Sequence, residues 1–99
     1  MTQEATKIAV NHDLKEPPKF SVVYINDDVT TVVFVVETLM LIFGHNFESA
    51  EDLAQEIHNS GAGVAAVLPY EMAEHKTLEV IKLAREQNFP LEVRVEPSI

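Results

Sequence analysis

A group of hydrogen-bond acceptors is predicted around the turn Asn26-Asp27-Asp28. This turn directly follows a short apolar run, and His58 lies near the end of a helical pattern further along the chain. A carboxylate, an amide oxygen and an imidazole can together accept the three N–H bonds of an ammonium group. Ionised acceptors make such bonds roughly twice as strong as neutral ones. The pattern favours a site for an amino group, although the same residues would also suit a plain turn, a helix N-cap and a helix-end histidine.

A second chemistry open to the same side chains is metal-dependent hydrolysis. Asp27, Asp28 and His58 could ligate a divalent ion or form an acid–base pair. The chain has no HExxH motif, no glycine-rich phosphate loop and no G-x-S-x-G. The remaining histidines indicate no second ligand, since His45 and His75 are expected at the surface and His12 lies in the N-terminal segment. Hydrolysis stays the alternative to binding, and no metal or other cofactor is predicted.

The charge is distributed very unevenly along the chain. Seven Lys and Arg against 16 Asp and Glu give a net charge of −9, which disfavours nucleic acid or an anionic membrane as the main partner. No Lys or Arg lies between Phe20 and His75, a stretch that holds nine acidic residues. Such a block is either a solvated acidic surface or a field that attracts a cation. Charge alone does not separate these two interpretations.

Length and composition limit the class of protein. A chain of 99 residues with 46% hydrophobic residues can bury one core, which predicts a single domain. The absence of cysteine excludes disulfides and thiolate chemistry. The first residues show neither the basic nor the apolar region of a secretory signal, and no run approaches the roughly 20 apolar residues that span a bilayer. We therefore expect a soluble, acidic, intracellular domain.

The elements that must position the turn and His58 follow from periodicity and capping residues. Residues 1–18 end in two prolines and are predicted to be a flexible N-terminal tail, leaving residues 19–99 as the folded domain. Strands are predicted at 20–25, 63–68 and 91–95, and helices at 31–43, from Ser49 to about 60, and at 71–88. The predicted fold class is therefore α/β (α+β), a β-α-α-β-α-β chain in which three helices pack on a three-stranded sheet.

Three details of these helices are predicted from residue types. Segment 31–43 contains four valines, but its length, the cap-type residues Asp28 and Thr30 before it and Gly44 after it favour a helix. Because it is apolar nearly all round, it should be buried or leave an apolar groove wall exposed. Ser49 is the predicted N-cap of the second helix. The core candidates on the third helix are Met72, Val80, Ile81 and Leu83.

Several motifs, in the same order and spacing, resemble the ClpS adaptor family from Pro17 to Pro97. They are Pro-Pro-Lys-Phe, Val-Tyr-Ile-Asn-Asp-Asp-Val-Thr, Phe34-Val35, Ile57-His58 with Gly61 three residues on, Tyr70-Glu71-Met-Ala-Glu74-His-Lys76, Ala84-Arg85-Glu86 and Pro90-Leu91. The resemblance implies a monomeric adaptor and not an enzyme. Such an adaptor binds bulky hydrophobic N-terminal residues, called N-degrons, and delivers substrates to a ClpA- or ClpC-type AAA+ unfoldase for degradation by ClpP. It implies the bacterial cytoplasm, with the plastid stroma as alternative.

The resemblance also assigns site residues. Asn26, Asp27 and His58 would hold the α-amino group of the N-degron. The hydrophobic pocket would be lined by Thr30, Val32, Val35, Ala54 and Leu91, and the unfoldase would dock on Glu71, Glu74 and Lys76, with the 1–18 tail engaging it during delivery. Val32 and Ala54 stand where family members usually carry methionine, so the mouth of the pocket should differ. A third hypothesis is an acidic interaction domain whose site is vestigial.

Overall fold

The computed structural model describes residues 16–98. Most of the predicted tail lies outside these residues, and 16–18 precede the first strand without regular secondary structure. The elements are β1 (Lys19–Ile25), α1 (Val32–Leu41), α2 (Phe47–Ser60), β2 (Ala62–Pro69), α3 (Tyr70–Glu86) and β3 (Glu92–Pro97). The predicted order β-α-α-β-α-β is therefore confirmed. None of the helices formed by residues 16–98 is long and apolar enough to cross a bilayer.

The sheet places β1 at its centre. Its strand order is β2-β1-β3, and both pairings are antiparallel. Val22 and Tyr24 alternate along β1 and are fully buried, and Leu91, just before β3, and Val93 within it are also buried. The helix α3 packs on all three strands, while α2 packs on β2 and α1. The core therefore lies between one face of the sheet and the helices.

The strand β2 carries a bulge that a histidine stabilises. Val22 pairs with Ala66 but Val23 pairs with Val64, so Ala65 is the extra residue. The Nε2 atom of His45 lies 2.8 Å from the Ala65 carbonyl oxygen, and its Nδ1 lies 2.9 Å from the Ser49 hydroxyl. Since a carbonyl only accepts, Nε2 donates to it. The prediction of His45 as a surface residue is therefore wrong: it is half-buried and joins the α1–α2 loop to β2.

A buried hydrogen bond joins the central strand to α1. The hydroxyls of Tyr24 and Thr38 are 2.8 Å apart, and the Thr38 hydroxyl donates to the Val35 carbonyl at 3.0 Å. The Tyr24 hydroxyl is therefore the donor to Thr38. Burial raises the pKa of Tyr24 far above its usual value, although the Thr38 bond opposes the shift. The hydrogen bond between the uncharged Tyr24 and Thr38 hydroxyls therefore attaches the middle of α1 to the central strand.

The first two helices begin at caps other than those predicted. The N-cap of α1 is Thr31, whose hydroxyl accepts the Phe34 N–H at 3.1 Å, and neither Asp28 nor Thr30 takes that position. The helix α2 begins at Phe47, and the Oδ1 atom of Asn46 accepts the Ser49 N–H at 2.8 Å. Ser49 is therefore inside the first turn and is not the N-cap. Asparagine is as good an N-cap as serine. Because α2 begins three residues earlier than predicted, it is nearly one turn longer at this end.

The helix α3 buries small residues instead of large ones. Its buried positions are Ala73, Thr77, Val80 and Ala84, which recur at intervals of three and four residues. Val80 was predicted correctly, and Ile81 packs partly against the core. Met72 and Leu83 were predicted wrongly, because they are 48% and 37% exposed. Small residues on this face let the helix approach the sheet closely.

Candidate functional site

One backbone hydrogen bond brings the two halves of the predicted site together. At the end of β1 the Asn26 N–H donates to the Gly61 carbonyl at 2.9 Å, and Gly61 itself ends α2 by donating to Ile57 at 2.9 Å. Gly61 has a φ of 93°, in the left-handed region that favours glycine. The turn after β1 therefore lies beside the last turn of α2, which carries the exposed His58.

The carboxylate of Asp27 organises this turn. Its Oδ1 accepts the N–H groups of Val29 at 2.8 Å and Thr30 at 2.7 Å, and its Oδ2 accepts the Thr30 hydroxyl at 2.8 Å. Burial by itself raises the pKa of Asp27. The bonds from Thr30 and Val29, together with the charge of Arg85, outweigh it, so the pKa lies below its usual value. Asp27 is therefore ionised at neutral pH.

Asp27 keeps an acceptor position after these bonds are made. An ionised carboxylate offers about four lone-pair positions, and the bonds within the turn use three of them. The position left belongs to Oδ2, and the carboxylate is only partly buried. Asn26-Asp27-Asp28 therefore forms a turn, as one of the two interpretations predicted, and the Asp27 carboxylate can still accept a hydrogen bond from one further donor.

Next to this turn is a cavity of about 370 Å³. It is lined by Asn26, Asp27, Asp28, Val29, Thr30, Thr31, Val32, Val35, Ala54, Ile57 and His58. Val35, Ala54 and Ile57 are buried and form apolar walls, while Val29 and Val32 are more than half exposed. Small-molecule sites usually start at about 300 Å³. The cavity therefore has the size of a site for one large side chain, with hydrogen-bonding groups beside it.

All but one of the residues predicted for the amino group and the pocket line this cavity. The exception is Leu91, which is 1% exposed within the core and does not line the cavity. Ile57 does line it and was not predicted as a pocket residue. A helical signal was available, because Ile57 follows Ala54 by three residues and therefore shares its face.

Arg85 is a cation close to this otherwise acidic site. Its Nη1 donates to the carbonyls of Phe89 at 2.8 Å and Leu91 at 3.0 Å. These bonds fasten the segment between α3 and β3, where Asn88 adopts a left-handed φ of 62°. Since Glu92 pairs with Ile25 at the end of β1, the fastened segment supports the strand end that carries the site.

The residues predicted for docking lie at the other end of β1. Lys19 pairs with Pro69, next to the start of α3, whereas Ile25 pairs with Ala62 near the site. A seven-residue strand spans about 20 Å.

The three predicted docking side chains differ in their surroundings. Glu71 and Glu74 are exposed, and the Tyr70 hydroxyl donates to Glu74 at 3.3 Å. The charge of Glu74 raises the pKa of Tyr70. Lys76 is half-buried and donates to the Ile42 carbonyl, at the C-terminal end of α1, at 2.9 Å. Lys76 therefore binds to the end of another helix, whereas the hydrogen bond of Glu74 stays within α3.

Asp27, Asp28 and His58, the three residues considered as metal ligands, all line one cavity. Among residues 16–98, no three His, Asp or Glu side chains are grouped so that they could hold a metal ion. The polar groups that line the cavity include the carboxylates of Asp27 and Asp28, the amide of Asn26 and the imidazole of His58.

Known proteins similar to this chain share one family description. A family model described as "ClpS: ATP-dependent Clp protease adaptor protein ClpS" matches residues 15–94. The ATP-dependent Clp protease adapter protein ClpS of Wolinella succinogenes is 43% identical over 91 residues, which are 92% of this chain and 89% of that protein. The protein of the same name from Campylobacter jejuni is 45% identical over 83 residues, 84% of this chain and 86% of that protein.

A solved structure is similar over most of the chain. It is the structure of Agrobacterium tumefaciens ClpS2 bound to L-phenylalaninamide, with a TM-score of 0.80 and 30% sequence identity. The match covers 84% of this chain and all of that one, 100%.

Proposed function

Because this chain belongs to the ClpS family of Clp protease adaptors, which are not enzymes, we propose that it binds the bulky hydrophobic N-terminal residue of substrate proteins. The observation that carries the proposal is that two features share one cavity: an ionised Asp27 that can accept one more hydrogen bond, and buried apolar walls. A protein N-terminus offers the matching pair of groups, an ammonium and the side chain next to it.

The α-ammonium group would be held by three acceptors. Asp27 contributes Oδ2, and Asn26 and His58 contribute an amide oxygen and an imidazole nitrogen from the same cavity. The bond to the carboxylate is the strongest of the three because both partners are charged. The stretch of residues 20–75 holds nine acidic residues and no Lys or Arg, which further favours a cationic ligand, although Arg85 lies close to Asp27.

The side chain of the N-terminal residue would enter the apolar part of the cavity. Val35 and Ile57 have branched Cβ atoms and lose little rotamer freedom when a ligand binds. The similar ClpS2 protein binds L-phenylalaninamide, an aromatic amino acid derivative with a free amino group, and this supports the same ligand class here. Thr30, Val32 and Ala54 complete the proposed pocket, and Leu91 would support it from the core.

Delivery requires a second surface, which we assign to Glu71, Glu74 and Lys76. The start of α3, which carries Glu71, lies at the opposite end of β1 from the site, and the strand spans about 20 Å, so a bound substrate would not cover it. The 1–18 segment joins β1 at the same end as this patch, which supports its contact with the unfoldase. The partner would be a ClpA- or ClpC-type unfoldase that passes substrates to ClpP, and the adaptor would act as a cytoplasmic monomer.

A pair of peptides tests this function. A fluorescent peptide with a free N-terminal Phe and its N-acetylated twin are titrated against the protein by anisotropy. We expect the free peptide to bind and the acetylated one to lose at least tenfold in affinity, about 1.4 kcal/mol, because the carboxylate loses a charged partner. A metal-dependent hydrolase would instead cleave peptides when a divalent ion is added. A vestigial site would bind neither peptide.

A further inference from the structure

Phe89, in the turn between α3 and β3, packs against the first turn of α1. Its ring lies edge-on to the ring of Phe34, with centroids 5.2 Å apart and planes at 68°, an arrangement that aromatic pairs favour. Phe34 is buried, and Phe89 is half-buried against the same core. Because Phe34 directly precedes Val35, which lines the proposed N-degron cavity, the aromatic pair supports the helix turn that carries one wall of that cavity.

This support lies on the side of α1 that faces away from α2. Val36 lines a groove between the two helices together with Phe47 and Glu51 of α2, so its side chain faces that helix. Phe34 stands two residues earlier, about 200° around the helix, and lines neither the groove nor the cavity. The ring of Phe89 therefore limits how far the first turn of α1 can lie from α2.

The spacing of α1 and α2 sets the width of the cavity. Both helices contribute apolar walls to it, namely Val32, Val35, Ala54 and Ile57. The buried hydrogen bond from Thr38 to the central strand holds the middle of α1, one turn beyond Phe34. The first turn of α1 has no such bond to the sheet among the described residues, so its position depends on the contact with Phe89.

The backbone of Phe89 is fixed by interactions within its own turn. Asn88 has a left-handed φ of 62°, and its N–H donates to the Arg85 carbonyl at 3.0 Å. The Phe89 N–H donates to the Ala84 carbonyl at 2.9 Å, which completes the Schellman pattern of a helix end. Arg85 Nη1 donates to the Phe89 carbonyl at 2.8 Å, and Pro90 restricts the backbone of the residue before it. The turn therefore places the Phe89 ring independently of α1.

We propose, on the basis of the function proposed above, that Phe89 is a positioning residue that determines the specificity of the N-degron site. Phe89 does not line the cavity and acts through Phe34, by setting the spacing of α1 and α2. This spacing decides how large an N-terminal side chain the cavity holds in close contact. Arg85 acts in turn through Phe89, because it holds the Phe89 carbonyl in place.

Two peptides that differ only in a free N-terminal Leu or Trp test this inference by fluorescence anisotropy. Phe89→Leu keeps an apolar side chain but removes the ring that faces Phe34, so the first turn of α1 can recede from α2. The wider cavity should hold Leu less closely and accommodate Trp more easily. We expect the ratio of Trp affinity to Leu affinity to rise about tenfold, the lower end of the discrimination that one methylene group produces in a fitted pocket.

Phe20→Leu is the matched control. Phe20 is also half-buried, and its ring packs edge-on against the Tyr70 ring with centroids 5.1 Å apart. It lies at the end of β1 away from the cavity. Both Phe→Leu variants should lower the free energy of unfolding in urea titrations, and only Phe89→Leu should change the affinity ratio. A purely structural role of Phe89 would weaken both peptides alike and leave the ratio unchanged.

Arg85→Gln tests the part of the turn in this effect. The variant loses the guanidinium bonds to the carbonyls of Phe89 and Leu91, so the ratio should rise in the same direction by a smaller factor. In the Phe89→Leu protein the additional Arg85→Gln substitution should not change the ratio further, because both release the same contact with α1. The charge lost near Asp27 affects the ammonium group that both peptides share, and this effect cancels in the ratio.

The outcomes separate this inference from the proposed function. If the native protein binds neither peptide, the proposed function is wrong and the inference falls with it. If both peptides bind and Phe89→Leu leaves the ratio unchanged or lowers it, the N-degron site stands and the role of Phe89 is overturned. An equal rise of the ratio in Phe20→Leu overturns it as well. Should Phe89→Leu fail to fold, Arg85→Gln alone decides, and an unchanged ratio in that variant overturns the proposal.

Discussion

Replacing Asp27 by Asn separates the two tasks of this carboxylate. The Asn Oδ1 can still accept the N–H groups of Val29 and Thr30, which lie 2.8 and 2.7 Å from the native oxygen. The amide nitrogen would replace Oδ2 and donate to the Thr30 hydroxyl, which can also accept. The turn is therefore expected to persist, with a free energy of unfolding changed by less than about 1 kcal/mol.

Binding should respond far more strongly to Asp27→Asn. The variant loses the negative charge and the one acceptor position left for an ammonium group. A hydrogen bond to a charged group contributes about 1.5–3 kcal/mol, so affinity for a Phe peptide should fall about ten- to hundredfold. Asp27→Ala should lower both peptide affinity and stability, because it also removes the three bonds within the turn. It should lower the free energy of unfolding by roughly 1–3 kcal/mol.

The pH dependence follows from the lowered pKa of Asp27. The pKa of Asp27 is lower in the folded protein than in the unfolded chain. The ionised carboxylate therefore contributes fully to stability above the unfolded pKa, and this contribution is lost as pH falls through the folded pKa. Peptide binding should therefore persist to about pH 4, near the ordinary Asp value. At alkaline pH binding should weaken as the peptide amino group, with an ordinary pKa of about 7.7–8.0, loses its proton.

Anisotropy titrations and urea unfolding of the same protein samples measure both effects. Asp52→Asn is the control, because it makes the same charge change on α2, outside both the cavity and the groove. It should alter neither affinity nor stability appreciably. Native affinity in Asp27→Asn would refute the role of Oδ2 in holding an ammonium group. A loss of folding in that variant would refute the expectation that Asn preserves the turn.

Four further predictions concern the pocket, the junction beside it, the core and the tail. Val32→Met should raise the affinity ratio of Leu- to Ile-initiated peptides, because the native valine leaves more room near the ligand Cβ. The free-energy difference between the two peptides should change by at most about 1–3 kcal/mol, and an unchanged or lower ratio would contradict the prediction. Gly61→Ala should lower the free energy of unfolding by about 1–2 kcal/mol in urea titrations, because a φ of 93° strains any residue with a Cβ. The added Cβ would meet no atom within 4 Å, so the expected loss comes from the backbone alone. Thr77→Val should raise the melting temperature, because the Thr77 hydroxyl is buried without a hydrogen-bond partner among the described residues. Deletion of residues 1–16 should preserve peptide affinity and slow degradation by the reconstituted unfoldase and peptidase; a normal rate would show that the tail is dispensable.

The sequence by itself determined the order of the elements and the nature of the turn. Helical and strand periodicities, Gly61 as a helix end and Asn-Asp-Asp as a strand end depend on neighbours within one or two turns of chain. Such local signals are present in the sequence before the chain folds. The position of Asn26, Asp27 and His58 at element ends could therefore be predicted, while their role in holding an amino group stays a prediction.

Several features were decided only by the tertiary structure. The His45 bond to Ala65 and the buried Tyr24–Thr38 pair join residues far apart in sequence, and no local pattern specifies them. The helix α3 buries alanines while Met72 and Leu83 stay exposed, because the distance to the sheet decides which side chains fit. For the same reason Ile57 lines the cavity and Leu91 fills the core. Periodicity identifies a face of an element, but the neighbouring elements determine whether that face becomes a pocket, a groove or the core.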